Sequence, residues 1–264
     1  MQSPFTRKLW PLLKKLNNYV LQVYDRIDLQ DHKQGPMFNF VSRTKQTLFE
    51  EIQTFILESE EGANVIELDQ KTGIFDIPFD RTWIISPLEG MTNLMYQLPQ
   101  VCLSISLCEY GEVQKAFIYD VTADILYSAE AGHGAFSNQT RIRCGNKVQG
   151  VLIGNETWPV MDLSGFSKLS HRYRSTGCPS LNIAWVAASR FTAAIGKMDY
   201  AQILSASLLM KESGGYLKII RDEADAGSVI HEKVIDLSEN DTLLAASPKV
   251  MGMIVGKSHV ARHS

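Results

Sequence analysis

The segment between Thr82 and Asn93 holds the residues whose types and order are best suited to chemistry. Trp83–Ile85 predicts a buried strand that stops at Pro87, and a tight turn at Gly90 follows. A polar residue suited to the start of a helix comes next. Such a junction directs backbone N–H groups toward one point, where they can bind an anion. The sequence therefore predicts an anion-binding turn formed by Gly90, Met91 and Thr92.

The same segment resembles the signature of the inositol monophosphatase family, magnesium-dependent phosphomonoesterases with the pattern W-[VI]-[IV]-D-P-[LI]-D-G-T-[TS]-N. Three positions that carry the family's chemistry differ. Ser86 stands in place of the first metal-binding aspartate, Glu89 in place of the second, and Met91 in place of the catalytic threonine. The frame of the signature is present at Trp83, Pro87, Gly90, Thr92 and Asn93.

Two later segments extend the resemblance over roughly residues 33–258. Thr176-Gly177 and the apolar residues that follow are similar to a family helix that begins T-G-S-A-A. The run that ends at Gly214-Gly215 is similar to the family helix that ends E-A-G-G. The resemblance implies an α/β (α+β) fold, layered as an α/β/α/β/α sandwich, and a homodimer. It also implies a phosphate-binding role for the turn at 90–92.

The resemblance assigns the remaining positions of a metal site. Glu67 occupies the place of the first ligand, a glutamate, and Leu88 that of a residue whose backbone carbonyl contacts the metal. Gln202 stands in place of the third aspartate, and Lys45 in place of an aspartate that helps to position water. In the family, a further glutamate often contacts the substrate hydroxyl, and its position aligns near Ile195 of this chain. Three of these side chains keep an ordinary alternative role. Glu67 could be a solvated residue at a strand end, Glu89 a residue at a helix start, and Lys45 a residue on a helix surface.

Charge limits the metal that this set of residues can hold. Hard cations such as Mg²⁺ prefer oxygen ligands. Glu67 and Glu89 bring −2 and Lys45 brings +1, so the three sum to −1 and cannot balance two dications. We therefore expect weak binding of at most one Mg²⁺, or none, and an ion pair between Lys45 and one of the two glutamates. Further ligands could come from a predicted acidic loop through Asp69, Asp76 or Asp80.

The elements that must position these residues follow from periodicity. Residues 5–25 place apolar side chains on one face and lysines on the other, which fits a core-facing helix better than a membrane-surface helix. The other predicted helices cover 44–58, 178–194, 202–212 and 248–256. Predicted strands cover 65–67, 83–85, 101–107, 113–121, 125–127, 216–220 and 243–246. Predicted loops cover 26–40 and 68–81, and 131–136 is a glycine-rich hairpin similar to the family's G-x-G-A-F.

Length and composition limit the number of domains, the classes of partner and the cellular location that are expected. The 264 residues suit a single domain over 1–264, with an N-terminal half to about 147 and a C-terminal half from 148. A net charge of −3 argues against direct nucleic-acid binding, and no apolar run is long enough to span a membrane. Four cysteines without C-x-x-C spacing predict reduced thiols in a cytoplasmic protein.

The substitutions lead to a functional expectation with one alternative. The chain is expected to keep the fold while being catalytically impaired or inactive, and to bind a small phosphorylated ligand or a protein partner. The alternative is an active Mg²⁺-dependent phosphatase that acts on inositol monophosphate or a related phosphomonoester such as a phosphonucleotide.

Overall fold

Two long helices form the first layer of the fold. The computed structural model describes residues 3–27, 36–67, 80–146, 150–154, 171–220 and 242–255. Helix α1 spans Pro4–Arg26 and helix α2 spans Pro36–Ser59. The side chain of Ser3 accepts a hydrogen bond from the backbone N–H of Thr6 at 3.2 Å, which caps the start of α1. The apolar face of α1 is buried through Leu9, Leu13, Leu16, Val20 and Val23. The prediction of a core-facing helix is therefore confirmed.

Helix α2 begins earlier than the sequence predicted. The loop predicted for 26–40 is wrong from Pro36 onward, and residues 28–35 lie outside the described residues. Proline suits the first turn of a helix, since its fixed φ is already helical and its missing N–H would have no intrahelical partner. The predicted helix over 44–58 is therefore the C-terminal part of a longer one.

A seven-stranded sheet forms the second layer, with its strands in sequence order. Strands β1 and β2 are parallel, and every later neighbour is antiparallel. The strands are β1 Asn64–Glu67, β2 Arg81–Glu89, β3 Cys102–Glu109, β4 Glu112–Asp120, β5 Ile125–Glu130, β6 Gly134–Ser137 and β7 Thr140–Ile142. The short helix α3, Met91–Met95, directly follows β2.

Strand β2 does not stop at Pro87, as the sequence predicted, but continues to Glu89. Proline has no N–H to donate to a sheet, so it is tolerated within a strand only at edges and irregular positions. The pairing of β2 with β3 shifts register between Ser86 and Glu89, which provides such an irregularity. The shifted segment lies at the end of the strand where the predicted site residues are.

The second sheet has five strands in the order β11-β12-β10-β8-β9. These are β8 Gly150–Gly154, β9 His171–Ser175, β10 Ala193–Gly196, β11 Tyr216–Ile220 and β12 Thr242–Ala246. Helices α4, Pro179–Ala187, and α5, Tyr200–Ser213, lie between the two sheets, and α6, Pro248–Val255, packs on the outer face. The predicted helix over 178–194 is too long, because Ser189 adopts a left-handed φ of 58° and residues 193–196 join the second sheet between β8 and β12.

Four buried clusters hold these layers together. The first lies between α1, α2 and one face of the seven-stranded sheet, and the second joins the other face to α4, α5 and the second sheet. A third lies under α6, and a smaller fourth lies between strands β2 and β3 and the start of α5. The layers therefore alternate helix, sheet, helix, sheet, helix, which confirms the predicted fold class. Within the described part of the chain, no helix has both the length and the apolar character needed to cross a bilayer.

Candidate functional site

The turn after β2 requires glycine at position 90. Gly90 caps the start of α3 with φ 78° and ψ 36°, the left-handed region that side chains other than glycine disfavour. A Cβ atom placed there would lie 2.5 Å from the backbone oxygen of Gln100. The turn is thus fixed both by its backbone conformation and by the close approach of a neighbouring segment.

Asn93 ties this turn to the C-terminal half of the chain. Its side-chain Nδ2 donates to the backbone oxygen of Gln100 at 3.0 Å and to that of Thr176 at 2.6 Å. Thr92 is exposed, whereas the side chain of Met91 packs against the first core cluster. The first N–H groups of a helix have no partner within the helix, so an anion could bind at this end of α3 without help from either side chain.

Glu89 carries the most perturbed carboxylate of the site. The residue is 4% exposed, and Ser104 Oγ donates to its Oε1 at 2.8 Å. Its Oε2 has no hydrogen-bond partner among the described residues. Burial raises the pKa of Glu89 from an ordinary 4.5 to about 7, the charge of Asp199 adds to this, and Ser180, Ser104 and Cys102 partly oppose it. A large share of Glu89 is therefore protonated near neutral pH.

Two cysteines lie beside Glu89. The Sγ atoms of Cys102 and Cys178 are 3.3 Å apart, and both residues are fully buried free thiols. One carboxylate oxygen of Glu89 and the two sulfur atoms lie within 4.8 Å of one another. Burial raises the pKa of Cys102 well above its usual range, and the neighbouring Cys178 raises it further. The group is thus a compact cluster of soft sulfur donors with one carboxylate.

Glu67 lies at the end of β1 and forms an ion pair with Lys45 of α2. Both side chains are about one-third exposed, at 28% and 34%. The predicted ion pair of Lys45 with a glutamate is confirmed, and it involves Glu67 rather than Glu89. Glu67 still ends a strand and Lys45 still lies on a helix, and both are partly exposed, so the pair fits either of their expected roles. The alternative of Glu89 as a helix-start residue is wrong, because Glu89 ends a strand and is buried.

The other predicted positions are dispersed or already engaged. Ser86 is half-buried and pairs in register with Ser104, while the side chain of Leu88 is buried. The Oε1 atom of Gln202 accepts a hydrogen bond from the backbone N–H of Asp199 at 3.0 Å, as part of a capping box at the start of α5. Asp69 and Asp76 lie outside the described residues, Asp80 is exposed beside the start of β2, and Ile195 lies in β10.

The described residues do not fit the Mg²⁺ cluster that the resemblance implies. Mg²⁺ prefers an octahedral shell of oxygen ligands. Among the described residues, Glu89, Cys102 and Cys178 are the side chains that lie close enough together to share one ion. Two of these three ligands are sulfur atoms, which Mg²⁺ does not favour. Glu67 is neutralised by Lys45 instead, and Gln202 is engaged in a helix cap.

Several residues that shape the site were not predicted. Cys102 and Ser104 lie two apart on β3, so their side chains point to the same face as the end of β2, where Cys102 pairs with Glu89. The predicted alternation of 101–107 contained this signal, because the small and polar positions form one face. Asp199 was missed because its effect on Glu89 depends on how α5 packs against the sheet.

Comparison with known proteins gives the same fold and family. The chain is 34% identical over 148 residues to an inositol-1-monophosphatase of Rhizobium meliloti, and the match covers 51% of this chain and 55% of that relative. It is 27% identical over 267 residues to a Nus factor SuhB of Buchnera aphidicola, with 92% of each chain covered. This chain therefore spans about half the length of the first relative and nearly all of the second.

A solved structure of the extragenic suppressor protein suhB from Bartonella henselae superposes with a TM-score of 0.75. It covers 97% of this chain and all of that chain at 18% identity, and at this identity the likeness shows the fold alone. The profile of the inositol monophosphatase family matches residues 12–259, most of the sequence. The layered fold, the Gly90 turn and this match together show that the chain belongs to the inositol monophosphatase family.

Proposed function

We propose that this protein binds a small phosphorylated molecule at the Gly90 turn and hydrolyses phosphomonoesters poorly or not at all. The observation that carries the proposal is the ion pair between Lys45 and Glu67. A Mg²⁺ ion at Glu67 would have to displace an ammonium group that already neutralises the carboxylate. The cost of that displacement weakens metal binding where the family's chemistry needs it.

The residues around this ion pair support the same proposal. Hydrolysis needs an activated water and cations that neutralise the phosphoryl oxygens. Met91 has no hydroxyl to orient water, and its side chain packs against the core. With a pKa of about 7, Glu89 is only partly ionised near neutral pH, so it contributes less than a full charge toward a cation. At most one Mg²⁺ would be held weakly, with Glu67 and the backbone carbonyl of Leu88 as its ligands.

Ligand binding at the turn needs no side chain that this chain lacks. Gly90 holds the left-handed start of α3, and Asn93 fixes the turn against two other segments. Backbone N–H groups from Gly90, Met91 and Thr92 would then contact the phosphate. An inositol phosphate or a phosphonucleotide is the class of ligand that we propose, bound by a cytoplasmic homodimer. The name of the Buchnera relative adds a protein partner as a second candidate role.

The proposal is tested by comparing turnover with ligand binding in the same preparation. The full chain is assayed with Mg²⁺ on inositol 1-phosphate and a nucleoside monophosphate, and phosphate binding is followed by NMR shifts of the Met91 and Thr92 amides. We expect amide shifts without Mg²⁺-dependent turnover. Turnover that Glu67→Gln abolishes would overturn the proposal.

The alternative function is an active Mg²⁺-dependent phosphatase. It is favoured by the similarity to a relative named inositol-1-monophosphatase. The two functions are separated by the variant Lys45→Asp, Ser86→Asp, Glu89→Asp, Met91→Thr and Gln202→Asp. If the native chain is impaired, this variant should bind Mg²⁺ more tightly and gain activity, with strongly non-additive contributions. If the native chain is already active, the variant should gain little.

A further inference from the structure

The cluster beside the Gly90 turn has donors that the proposed function does not use. Cys102 and Cys178 come from different halves of the chain, on β3 and at the start of α4, and their Sγ atoms are 3.3 Å apart. A carboxylate oxygen of Glu89 lies within 4.8 Å of both. Three ligand-type side chains that converge in the interior are uncommon unless hydrogen bonds or an ion hold them.

The polar atoms of this cluster are incompletely satisfied. Oε2 of Glu89 and Oγ of Ser180 are buried and lack a well-aligned hydrogen bond among the described residues, although the Ser180 hydroxyl is close enough to Glu89 to lower its pKa. Buried polar groups are nearly always well paired, so a carboxylate oxygen with one poorly aligned contact has room for a further partner. Ser104 meanwhile holds the other carboxylate oxygen at 2.8 Å, as hydrogen bonds commonly do for metal-binding carboxylates.

We propose that Cys102, Cys178 and Glu89 form a binding site for a thiophilic divalent cation, Zn²⁺, with Ser180 beside the fourth position. Zn²⁺ takes cysteine and carboxylate ligands in a tetrahedral arrangement at about 2.0–2.3 Å. Two sulfur ligands at such distances lie about 3.8 Å apart, so the sulfur atoms need to separate by only a few tenths of an ångström.

The charges and the cysteine positions favour Zn²⁺ over Mg²⁺. Thiolates are soft ligands that select zinc, whereas Mg²⁺ requires oxygen. Cys178 is the N-cap residue of the nine-residue helix α4, so a regular element fixes the position of this ligand. Binding would replace the protons of the two thiols and of Glu89 by one ion, and those protons would be released to solvent.

The test uses the full chain, reduced and stripped of metal with a chelator. Zn²⁺ is titrated in competition with a chromophoric chelator, and Co²⁺ is added separately as a spectroscopic probe. We expect one ion per chain, sulfur-to-Co²⁺ charge-transfer absorption in the near ultraviolet, and visible bands typical of tetrahedral Co²⁺. Cys102→Ala and Cys178→Ala should lose this absorption. Ser104→Ala, which removes a hydrogen bond to Glu89, should weaken Zn²⁺ binding by about ten- to a hundredfold.

The chain supplies its own controls, because its other cysteines, Cys108 and Cys144, do not belong to this group. Cys108→Ala and Cys144→Ala should bind Zn²⁺ like the native chain, with near-ultraviolet circular dichroism confirming that each variant is folded. Absence of Zn²⁺ binding by the reduced native chain would overturn the proposal, as would a Co²⁺ complex without sulfur charge transfer. The native-chain spectra decide the matter even if a variant unfolds.

The outcome is separable from that of the proposed function. Turnover of phosphomonoesters would contradict the proposed function and leave the Zn²⁺ titration unchanged. Conversely, a chain that binds no Zn²⁺ could still bind phosphate at the Gly90 turn.

Discussion

Replacing Glu89 by glutamine should make the free energy of unfolding less dependent on pH. Glutamine has nearly the same shape, can still accept the hydrogen bond from Ser104, and cannot ionise. In the native chain, burial raises the pKa of Glu89 from 4.5 to about 7. The folded state then binds more protons than the unfolded state between these values, so the native chain loses stability as the pH rises through this window.

The size of the effect follows from the two pKa values. Each pKa unit corresponds to about 1.4 kcal/mol of differential stability. Between about pH 5 and about pH 8, the change from 4.5 to about 7 removes about 2.5 kcal/mol from the native chain. The difference in unfolding free energy, variant minus native, should become more positive by this amount over the same interval. Any contact that the glutamine amide makes contributes equally at both pH values, so it cancels when the two differences are compared.

The assay is urea unfolding of both chains at the two pH values, with a chelator present so that no metal contributes. In a companion variant, Ser104→Ala, the loss of stability with rising pH should begin at a higher pH than in the native chain. The reason is that the lost hydrogen bond stabilises the charged form of Glu89 and so lowers its pKa. A variant-minus-native difference that is equal at both pH values would refute the argument and show that Glu89 titrates normally.

Three further predictions concern the turn and the ion pair. Gly90→Ala should destabilise the fold by about 1–3 kcal/mol more than Gly62→Ala in urea unfolding, because both glycines have positive φ but only Gly90 faces a carbonyl at 2.5 Å. Asn93→Ala should cost about 1–3 kcal/mol in the same assay, since two backbone carbonyls lose their donor; equal stability to the native chain would contradict this. Lys45→Met should tighten Mg²⁺ binding in calorimetry while changing stability by less than about 1 kcal/mol, as its pair with Glu67 is partly exposed; unchanged Mg²⁺ affinity would show that the ammonium does not compete.

Most of the fold could be predicted from local patterns. The helix over 202–212 and the strand over 216–220 follow the observed elements closely, because Gly214 adopts the left-handed conformation that ends α5. The errors occur where tertiary contacts override the pattern. Residues 193–196 continue an apolar run, yet they pair with β8 and β12 instead of extending α4.

The candidate site was predictable only in part. The ion pair of Lys45 followed from charge, since a lysine in an acidic site seeks a carboxylate. The cluster around Glu89 did not follow, because it depends on a register shift in β2 that turns one residue inward beside β3. Cys178 reaches this point from another half of the chain, and no spacing in the sequence reveals such a contact.

The side chain of Asn93 also has a consequence for dissecting the protein. One of its two acceptors, the carbonyl of Thr176, belongs to the segment that leads into α4, far along the chain from the turn. A fragment that ends near residue 147 would therefore contain the whole signature from Trp83 to Asn93 and still lack a brace that holds it. The shape of the Gly90 turn therefore depends on both halves of the chain, and a fragment with the signature half alone should contain the motif without its native conformation.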